Sequence, residues 1–389
     1  MIHSVPVSAA ANAETLTTAK PSVRRHASTN SLPAAYACAY ASGEARWYDL
    51  SLAWFQNFEK TALDPGDQVR IYGLEPADPC AGTLAILAMR QQASTGGFLS
   101  PKTLSSLSNF YSITFGPIGP NADVPSSLQA LVEAMVQEKE EWDAIELRPL
   151  ERDSPSFEPL NDALRKVGML PQNYFCFGNW YLPSQGLTFA EYFKTLAPAM
   201  QNTIRRRSKK LEKTGRSRIE IVSGPAELEA AIAAYESVYL TSWKRPEPYP
   251  EFMPHLIRMC AEKGWLRLGL IHLDDQPIAA QMWIVNHGRA TIYKLGHDQR
   301  ADEYSAGSIL TSKLLEHVLE IDKVQEIDFG SGDDAYKKTW LPLRRERWGI
   351  LAMNPRTPAG CALIAKHVGG RAAKKAWHFV RGRRRGPTK

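Results

Sequence analysis

The sequence lacks the features that mark several large protein classes. No apolar run approaches the roughly 18 residues that a membrane-spanning helix needs, which excludes an integral membrane protein. The N-terminal residues contain no continuous apolar stretch of the kind found in secretory signals. The 5 cysteines are odd in number, widely spaced and without a CxxC pair, which argues against a disulfide framework and a structural zinc site. The expected compartment is a reducing cytoplasm.

Several catalytic motifs are also absent. The sequence contains no G-x-S-x-G, no G-x-x-x-x-G-K-[ST], no G-x-G-x-x-G and no H-E-x-x-H. A serine-hydrolase nucleophile, a P-loop, a dinucleotide-binding loop and a zinc-protease site are therefore not indicated. The histidines and cysteines form no cluster with metal-ligand spacing, and we expect no metal cofactor.

The net charge of +6, from 47 basic and 41 acidic residues, is concentrated in two segments. The first runs from Thr203 to Arg218 and contains a single acidic residue, Glu212. The second is the C-terminal tail, whose basic residues include Lys374, Lys375, Arg381, Arg383, Arg384, Arg385 and Lys389. Charge this local favours an anionic partner at the 203–218 segment, and a solvated basic helix is the alternative.

The order of predicted elements indicates an α/β (α+β) protein with a duplicated domain. A length of 389 residues fits two domains, and strands alternate with helices in both halves. We predict a disordered leader over residues 1–44, rich in Ala, Ser, Thr and Pro, and domains over 45–185 and 186–354. Residues 355–389 form a basic tail. The alternation in Phe110–Phe115 predicts a strand in the first domain.

Four stretches of the sequence carry a family resemblance: Asn202–Glu212, Gly269–Ala280, Tyr304–Leu310 and Asp328–Trp340. They resemble GNAT acyltransferases, and most closely the CelD-type acetyltransferases related to cellulose biosynthesis, which are relatives of the Fem-type (FemAB-like) aminoacyl transferases. The resemblance extends from about Arg46 to Gly349. It implies two tandem GNAT-like domains, each a mixed, mostly antiparallel sheet flanked by helices. It also implies that the second domain binds the acyl donor, acetyl-CoA or another acyl-CoA.

The candidate donor-binding residues lie where a predicted strand leads into a helix. They are Arg300, Ser305, Ala306, Gly307 and Ser308. Free backbone N–H groups at a helix N-terminus attract a pyrophosphate, and Gly307 lets the backbone approach a ligand closely. Arg300 lies just upstream and adds a cation. The alternative is a glycine in an ordinary strand-to-helix turn.

The candidate catalytic residues follow the strand predicted over Val324–Phe329. The resemblance gives Tyr336 the place of a general acid that protonates the leaving thiolate, and Lys337 the place of a group that stabilises an oxyanion. The alternatives are a half-buried structural tyrosine and a solvated surface lysine. The resemblance also implies that this strand and Ala290–Leu295 separate to admit the pantetheine arm.

Asp328 and Asp333 are candidate general bases, because a carboxylate at the mouth of a cleft accepts a proton from an amine or a hydroxyl. The alternative is that these carboxylates cap backbone N–H groups in a glycine-rich turn, which is the safer interpretation for Asp334. His297 and Glu303 are further candidate bases, with an ordinary structural or surface role as the alternative.

Together these observations predict an N-acetyltransferase of the GNAT family, transferring groups other than aminoacyl. The acyl group would move from acyl-CoA to an amine or a hydroxyl of a small-molecule or glycan acceptor, related to polysaccharide or the cell envelope by family analogy. Two alternatives stay open: a Fem-type transferase that uses aminoacyl-tRNA, and a non-catalytic GNAT-like binding scaffold. Nucleic acid is an expected partner only in the first of these.

Overall fold

The computed structural model describes residues 21–78, 81–93, 96, 100–138 and 141–367. Within these residues twelve strands join in one continuous sheet. The strands are β1 (Ser22–His26), β2 (Gln68–Glu75), β3 (Ala85–Gln91), β4 (Thr103–Ser106), β5 (Ala144–Glu151), β6 (Leu170–Pro183), β7 (Ser217–Val222), β8 (Leu266–Leu273), β9 (Gln276–Asn286), β10 (Arg289–His297), β11 (Glu326–Asp328) and β12 (Leu343–Met353).

Nine α-helices flank the sheet in the described residues, and a further helical segment covers residues 358–367. Local signals begin several of them: Ser51 caps the helix that starts at Leu52, and Thr188 forms a capping box with Glu191. The helices are α1 (Ala37–Arg46), α2 (Leu52–Thr61), α3 (Pro125–Val136), α4 (Phe157–Lys166), α5 (Phe189–Thr195), α6 (Pro198–Glu212), α7 (Leu228–Thr241), α8 (Phe252–Glu262) and α9 (Ala306–Glu320).

The sheet confirms the predicted mixed α/β architecture and shows how the two halves join. Its strand order is β1-β2-β3-β4-β5-β12-β6-β11-β10-β9-β8-β7. All pairings are antiparallel except β4 with β5 and β10 with β11. The last strand of each half lies against the other half, because β12 pairs with β5 and β6 pairs with β11. The boundary at residues 185 and 186 stays a prediction, since hydrogen bonds cross it throughout the centre of the sheet.

Three hydrophobic clusters hold the helices on the sheet. One contains α2, α7 and α8 and joins the two halves, for example where Phe252 lies edge-on to Trp54 with ring centroids 5.5 Å apart. On the opposite face, α3 and α4 cover the first half, and α5, α6 and α9 cover the second. The strands supply both faces by alternation: on β2, Ile71 joins the shared cluster and Tyr72 the other.

The predicted disordered leader is wrong for residues 21–44, because β1 and most of α1 lie there. Strand β1 pairs with β2 along all its residues, and Tyr36 is buried with its hydroxyl 3.2 Å from Glu75 Oε1 and 2.9 Å from His26 Nε2. Burial of a few large side chains orders this segment despite its polar composition. Residues 1–20 and 368–389 lie outside the described residues, and with them most of the basic tail.

The strand predicted over Phe110–Phe115 is also wrong, and the strand there is β4, seven residues earlier. Residues 110–115 form a loop, buried from Tyr111 onwards, whose backbone binds a buried carboxylate: the N–H groups of Ile113 and Thr114 each lie 2.8 Å from Asp49 Oδ2. The carbonyl of Ile113 accepts a bond from Arg347 Nε at 3.2 Å. Because side chains satisfy the backbone, the alternating apolar residues reflect burial without strand pairing.

Candidate active site

The candidate site opens where two parallel strands separate. Strands β10 and β11 pair only from Arg289–Glu326 to Thr291–Asp328. Beyond Thr291, β10 continues to His297 beside β9, with an irregularity between Ile292 and Lys294, while β11 has ended. The edge of β10 that faces β11 therefore has unpaired backbone groups, as the predicted separation of these strands requires.

Two adjoining cavities occupy this gap, and both are lined by Leu295 and Tyr336. The first, here named the helix cavity, has a volume of about 330 Å³ and reaches the N-terminus of α9; its other lining residues include Gly307, Ser308, His297, Gln281, Trp243 and Met200. The second, here named the lysine cavity, has a volume of about 180 Å³; its other lining residues include Lys244, Lys294, Lys337, Asp334, Phe110 and Tyr111.

The start of α9 offers backbone donors to the helix cavity. Ser305 adopts a left-handed conformation, with φ of 53°, and its carbonyl accepts the N–H groups of Ser308 and Ile309. The N–H groups of Ala306 and Gly307 make no hydrogen bond to any other described residue. A Cβ on Gly307 would lie 3.2 Å from His297 Nδ1, so a side chain there would press on the cavity wall. Unpaired N–H groups and the helix dipole together favour an anion.

Arg300 does not share this location. Its side chain is 81% exposed, and its guanidinium is held by Asp298, with Nη2 2.5 Å from Oδ2. Bonds from the Arg300 side chain and backbone keep the pKa of Asp298 below its ordinary value. Arg300 lines neither cavity. The structure thus brings Gly307 and Ser308 to the cavity, buries Ala306, places Ser305 at the helix cap and turns Arg300 towards Asp298.

Tyr336 stands between the two cavities. Its side chain is 43% exposed and its ring meets Phe329 edge-on, with centroids 5.8 Å apart. Its hydroxyl makes no hydrogen bond within the described part of the chain. Burial, with a smaller contribution from Asp334, raises the pKa of Tyr336 to about 12. The phenol therefore stays protonated at neutral pH and is free to donate.

Lys337 is buried, in contrast to the solvated lysine of the alternative interpretation. Its Nζ donates to the carbonyl of Phe329 at 3.1 Å and of Ser331 at 2.5 Å, and lies 3.4 Å from the carbonyl of Gly332. Burial lowers its pKa. Because its protons are committed to backbone carbonyls, Lys337 holds the turn that precedes Tyr336. In this arrangement it is a positioning residue.

Asp328 lies away from the mouth of the gap. It is completely buried, and Oδ1 accepts bonds from Asn179 Nδ2 at 2.8 Å and from the Gly330 N–H at 2.6 Å, while Oδ2 pairs with Arg345. A carboxylate so fully bonded holds strands β6, β11 and β12 together. It lines neither cavity.

Asp333 is also engaged elsewhere. It accepts bonds from Trp180 Nε1 at 2.9 Å and from Arg344 Nη2 at 2.8 Å. The Arg344 hydrogen bonds hold its pKa below the ordinary value, which weakens it as a base. Of the other candidates, Asp334 lines the lysine cavity and His297 the helix cavity, with Nε2 3.0 Å from Asp302 Oδ1. Glu303 binds Lys210 outside both.

Sequence reasoning missed a cluster in which Glu247 binds two residues that line the lysine cavity, Tyr111 and Lys294. Glu247 Oε1 lies 2.7 Å from Lys294 Nζ, and Glu247 Oε2 accepts the Tyr111 hydroxyl at 2.6 Å. Burial acts to raise the pKa of Glu247, but the charge and hydrogen bond of Lys294 lower it overall. Nearby, burial and the charge of Lys294 lower the pKa of Lys244 to about 8. The sequence signal was weak, since Lys244 and Glu247 lie in an aperiodic segment with three prolines at 246, 248 and 250.

The basic helix α6 borders the helix cavity through Met200. Its apolar residues Ile204 and Leu211 are buried in the same cluster as α9. Several of its cations are paired: Lys210 binds Glu303 at 2.5 Å, and Arg207 donates to the Glu303 carbonyl. Arg206 and Lys209 are exposed along a surface depression and form no ion pair with another described residue.

The described residues contain no group of three or more His, Cys, Asp or Glu side chains that would hold a metal ion. None of the helices in the described ranges is both long and apolar enough to span a membrane.

A family comparison identifies the part of the chain that carries the gap. Residues 199–338 match the family described as "Acetyltransferase (GNAT) domain". Residues 199–338 are therefore similar to GNAT acetyltransferase domains. The matched range includes nearly all of α6, α7 to α9, β7 to β11 and Tyr336, so both cavities have most of their walls within it. A search of curated proteins finds no match.

A solved structure resembles this fold over most of the chain. The crystal structure of FemX is 9% identical and has a TM-score of 0.54, covering 78% of this chain and 90% of FemX. At this identity the likeness concerns the fold alone. A tandem GNAT protein from the clavulanic acid biosynthesis pathway is 11% identical and has a TM-score of 0.46. The match covers 86% of this chain and 100% of the tandem GNAT protein. L-PGS from Bacillus licheniformis is 11% identical, with a TM-score of 0.46, and covers 74% and 86%.

Proposed function

We propose that this protein transfers an acyl group, acetyl by preference, from acyl-CoA to an amine or hydroxyl acceptor. The observation that carries the proposal is the gap between β10 and β11, which has unpaired N–H groups of α9 at one side and the Tyr336 hydroxyl at its centre. GNAT folds generally bind acetyl-CoA. In the proposal the donor's pyrophosphate binds at Gly307 and Ser308, and its thioester lies beside Tyr336.

The proposed reaction is a direct transfer. A lone pair of the acceptor attacks the thioester carbonyl carbon, the tetrahedral intermediate collapses, and the carbon–sulfur bond breaks. Tyr336, whose hydroxyl is free, donates its proton to the departing thiolate. The acceptor loses one proton, and the Tyr336 phenolate regains one directly or through solvent, so that no net charge is left on the protein. Holding the two substrates in adjoining cavities supplies much of the acceleration. A polysaccharide or cell-envelope-related acceptor, as in CelD-type relatives, belongs to the proposal.

Isothermal titration with acetyl-CoA and with free CoA, at low and moderate salt, tests the donor. We expect saturable binding of both ligands. If the folded protein binds neither acetyl-CoA nor free CoA, the proposal is contradicted. Binding without turnover in an acceptor screen would favour the non-catalytic scaffold.

A second candidate function is aminoacyl transfer from charged tRNA, as in Fem-type relatives. The observation that favours it is the exposed pair Arg206 and Lys209 on α6, next to the helix that borders the gap. Binding to tRNA should then weaken steeply with salt, because phosphate contacts release counterions. A filter-binding titration at 50 and 200 mM salt, with Arg206→Ala and Lys209→Ala variants, separates the two candidates.

A further inference from the structure

One of the lysines that line the lysine cavity has an ammonium group without a hydrogen bond or an ion pair to any described residue. Three lysines line the cavity, and two of them are satisfied: Lys294 Nζ is 2.7 Å from Glu247 Oε1, and Lys337 Nζ donates to backbone carbonyls. Lys244 Nζ makes no hydrogen bond or ion pair within the described ranges. Its Nζ lies over the faces of two aromatic rings, 5.6 Å from the Tyr239 centroid and 5.9 Å from the Trp243 centroid.

The charges around Lys244 come from several elements. They are Lys294 on β10, Glu247 on the same loop, and Lys337 and Asp334 after β11, while Tyr239 contributes a hydroxyl from α7. Glu247 is already bound by Lys294 and Tyr111, and Asp334 lies nearer Lys337, at 3.8 Å from its Nζ. A partly buried ammonium without a partner costs free energy. An anion entering the cavity would offset that cost.

The rest of the cavity wall is aromatic and apolar. Phe110, Tyr111, Tyr293, Phe329 and Tyr336 contribute rings, and Phe110 is 55% exposed. The volume of about 180 Å³ exceeds the roughly 150 Å³ that holds one benzene molecule in a protein interior. The cavity thus has room for one ring-sized group.

We propose that the lysine cavity binds the acceptor through an anionic group, a carboxylate or a phosphate, which pairs with Lys244. The apolar or planar part of the acceptor lies against Phe110 and Tyr111. The inference rests on the proposed function for the statement that this ligand is the acceptor. Tyr336 lines both cavities, so an acceptor bound here would meet the donor at the tyrosine hydroxyl.

Ligand binding of this kind is coupled to the protonation of Lys244. Burial first, and then the charge of Lys294, lower the pKa of Lys244 to about 8 in the empty cavity. A bound anion favours the charged form and raises that pKa. The affinity for the anion should therefore be highest below pH 8. It should decline above pH 8, because the neutral Lys244 must then take up a proton when the anion binds.

Titration calorimetry with simple aromatic anions tests the proposal on the whole protein without any donor. The probes are phenyl phosphate, phenylacetate and the neutral benzyl alcohol, each at pH 7 and pH 9.5. We expect at least one anion to bind at least about tenfold more tightly than benzyl alcohol, and to bind more weakly at pH 9.5. The stronger of the two anions distinguishes a phosphate from a carboxylate on the acceptor.

Four variants locate the binding. Lys244→Met should weaken the anion about tenfold or more, and Lys244→Arg should retain it because the charge remains. Lys313→Met, at an exposed lysine paired with Glu316, is the matched control and should have no effect. Gly307→Glu should leave anion binding intact while weakening CoA, which separates this cavity from the start of α9. Circular dichroism verifies that each variant is folded.

Three results would overturn the inference: no anion binding by the folded protein, equal binding of benzyl alcohol, or undiminished binding by Lys244→Met. These outcomes are independent of the donor. If the anion binds but neither acetyl-CoA nor CoA does, the proposed function fails while the cavity's ligand class stands. If CoA binds and no anion does, the proposed ligand class of the cavity fails while the proposed function stands.

Discussion

At the scale of single residues, the site depends on one free hydroxyl among groups that are already bonded. Hydrogen bonds to other groups of the protein already occupy Asp328, Asp333 and Lys337. Tyr336 does not, and burial keeps it protonated. A group that has no internal partner and faces two cavities is available to a substrate. This difference makes Tyr336 the residue of first interest for the reaction.

Replacing Tyr336 by Phe should lower kcat by about 100-fold, because it removes a general acid and keeps the ring. Binding of CoA should change little. Steady-state kinetics with the acceptor found by screening, together with calorimetry, measure both quantities. Tyr174→Phe is the matched control, since that hydroxyl binds Glu146 at 2.6 Å away from the gap. Unchanged kcat in Tyr336→Phe would remove the tyrosine from the reaction.

A second prediction concerns the buried carboxylate of Asp49. Burial raises its pKa from 3.8 to about 7, although the N–H groups of Thr114 and Ile113 and the charge of Arg347 act in the opposite direction. Between these two values the folded state binds more protons than the unfolded state. The contribution of Asp49 to the free energy of unfolding therefore falls as the pH rises from about 4 to 7.

Asp49→Asn should flatten this part of the pH dependence, since the amide does not titrate. Urea unfolding of both proteins at pH 5, 6, 7 and 8 gives the comparison. Asp162→Asn, at an exposed aspartate that pairs with Arg165, is the control. A parallel decline in the Asp49→Asn protein would show that other groups produce it.

At the scale of elements, the separation of β10 from β11 and the start of α9 create the proposed donor side of the site. The strands part after three paired residues, and the helix begins at a residue with left-handed φ. Both features are set by backbone geometry. A residue without a side chain is therefore needed next to them, because a Cβ would narrow the helix cavity. Gly307 is that residue, with His297 Nδ1 3.2 Å from the position of a Cβ.

Gly307→Glu should weaken CoA binding about 10- to 100-fold. The new side chain occupies the helix cavity, and its carboxylate repels the pyrophosphate from the helix N-terminus. Calorimetry with free CoA measures the change. Gly224→Glu adds the same side chain where nothing lies within 4 Å of a Cβ, and it should bind CoA as the unchanged protein does. Equal loss in both variants would contradict a site at Gly307.

At the scale of the whole molecule, the two halves complete each other's sheet. Strand β12 lies between β5 and β6, and it pairs with β6 from Leu343–Tyr181 to Met353–Leu170. Buried ion pairs follow the same junction, where Arg345 binds Asp328 and Glu326. Cutting the chain between the halves would leave open strand edges on both.

We therefore expect that fragments 1–185 and 186–389 do not fold separately and that they assemble when expressed together. The first fragment lacks β12, and the second lacks the partner strand of β11. Circular dichroism and thermal unfolding of each fragment and of the mixture test this, with the intact chain as reference. A cooperative unfolding transition in fragment 1–185 alone would contradict the prediction.

Much of the fold was predictable from local pattern. The apolar spacing of Leu128, Leu131, Val132 and Met135 predicts α3, and Ser308–Glu320 predicts most of α9. The order of elements and the motif at Asp328–Trp340 predicted a GNAT-like second half, which the family match over residues 199–338 supports. These signals are local because periodicity and capping act within a few turns of chain.

The sequence by itself determined most of the helices and strands from residue 45 onwards, where the glycine-bearing turn at Ser305–Ser308 lies, and that a tyrosine follows the short strand β11. Only the tertiary structure decided that β6 and β12 each pair with strands of the other half, and that Asp328 and Lys337 are buried. It also decided that Glu247 contacts Lys294 and Tyr111 close to Lys244. The physical reason is distance along the chain. Tyr111 and Glu247 are 136 residues apart, and Asn179 and Asp328 are 149 apart. Whether such groups are free or bonded depends on partners that no local pattern identifies.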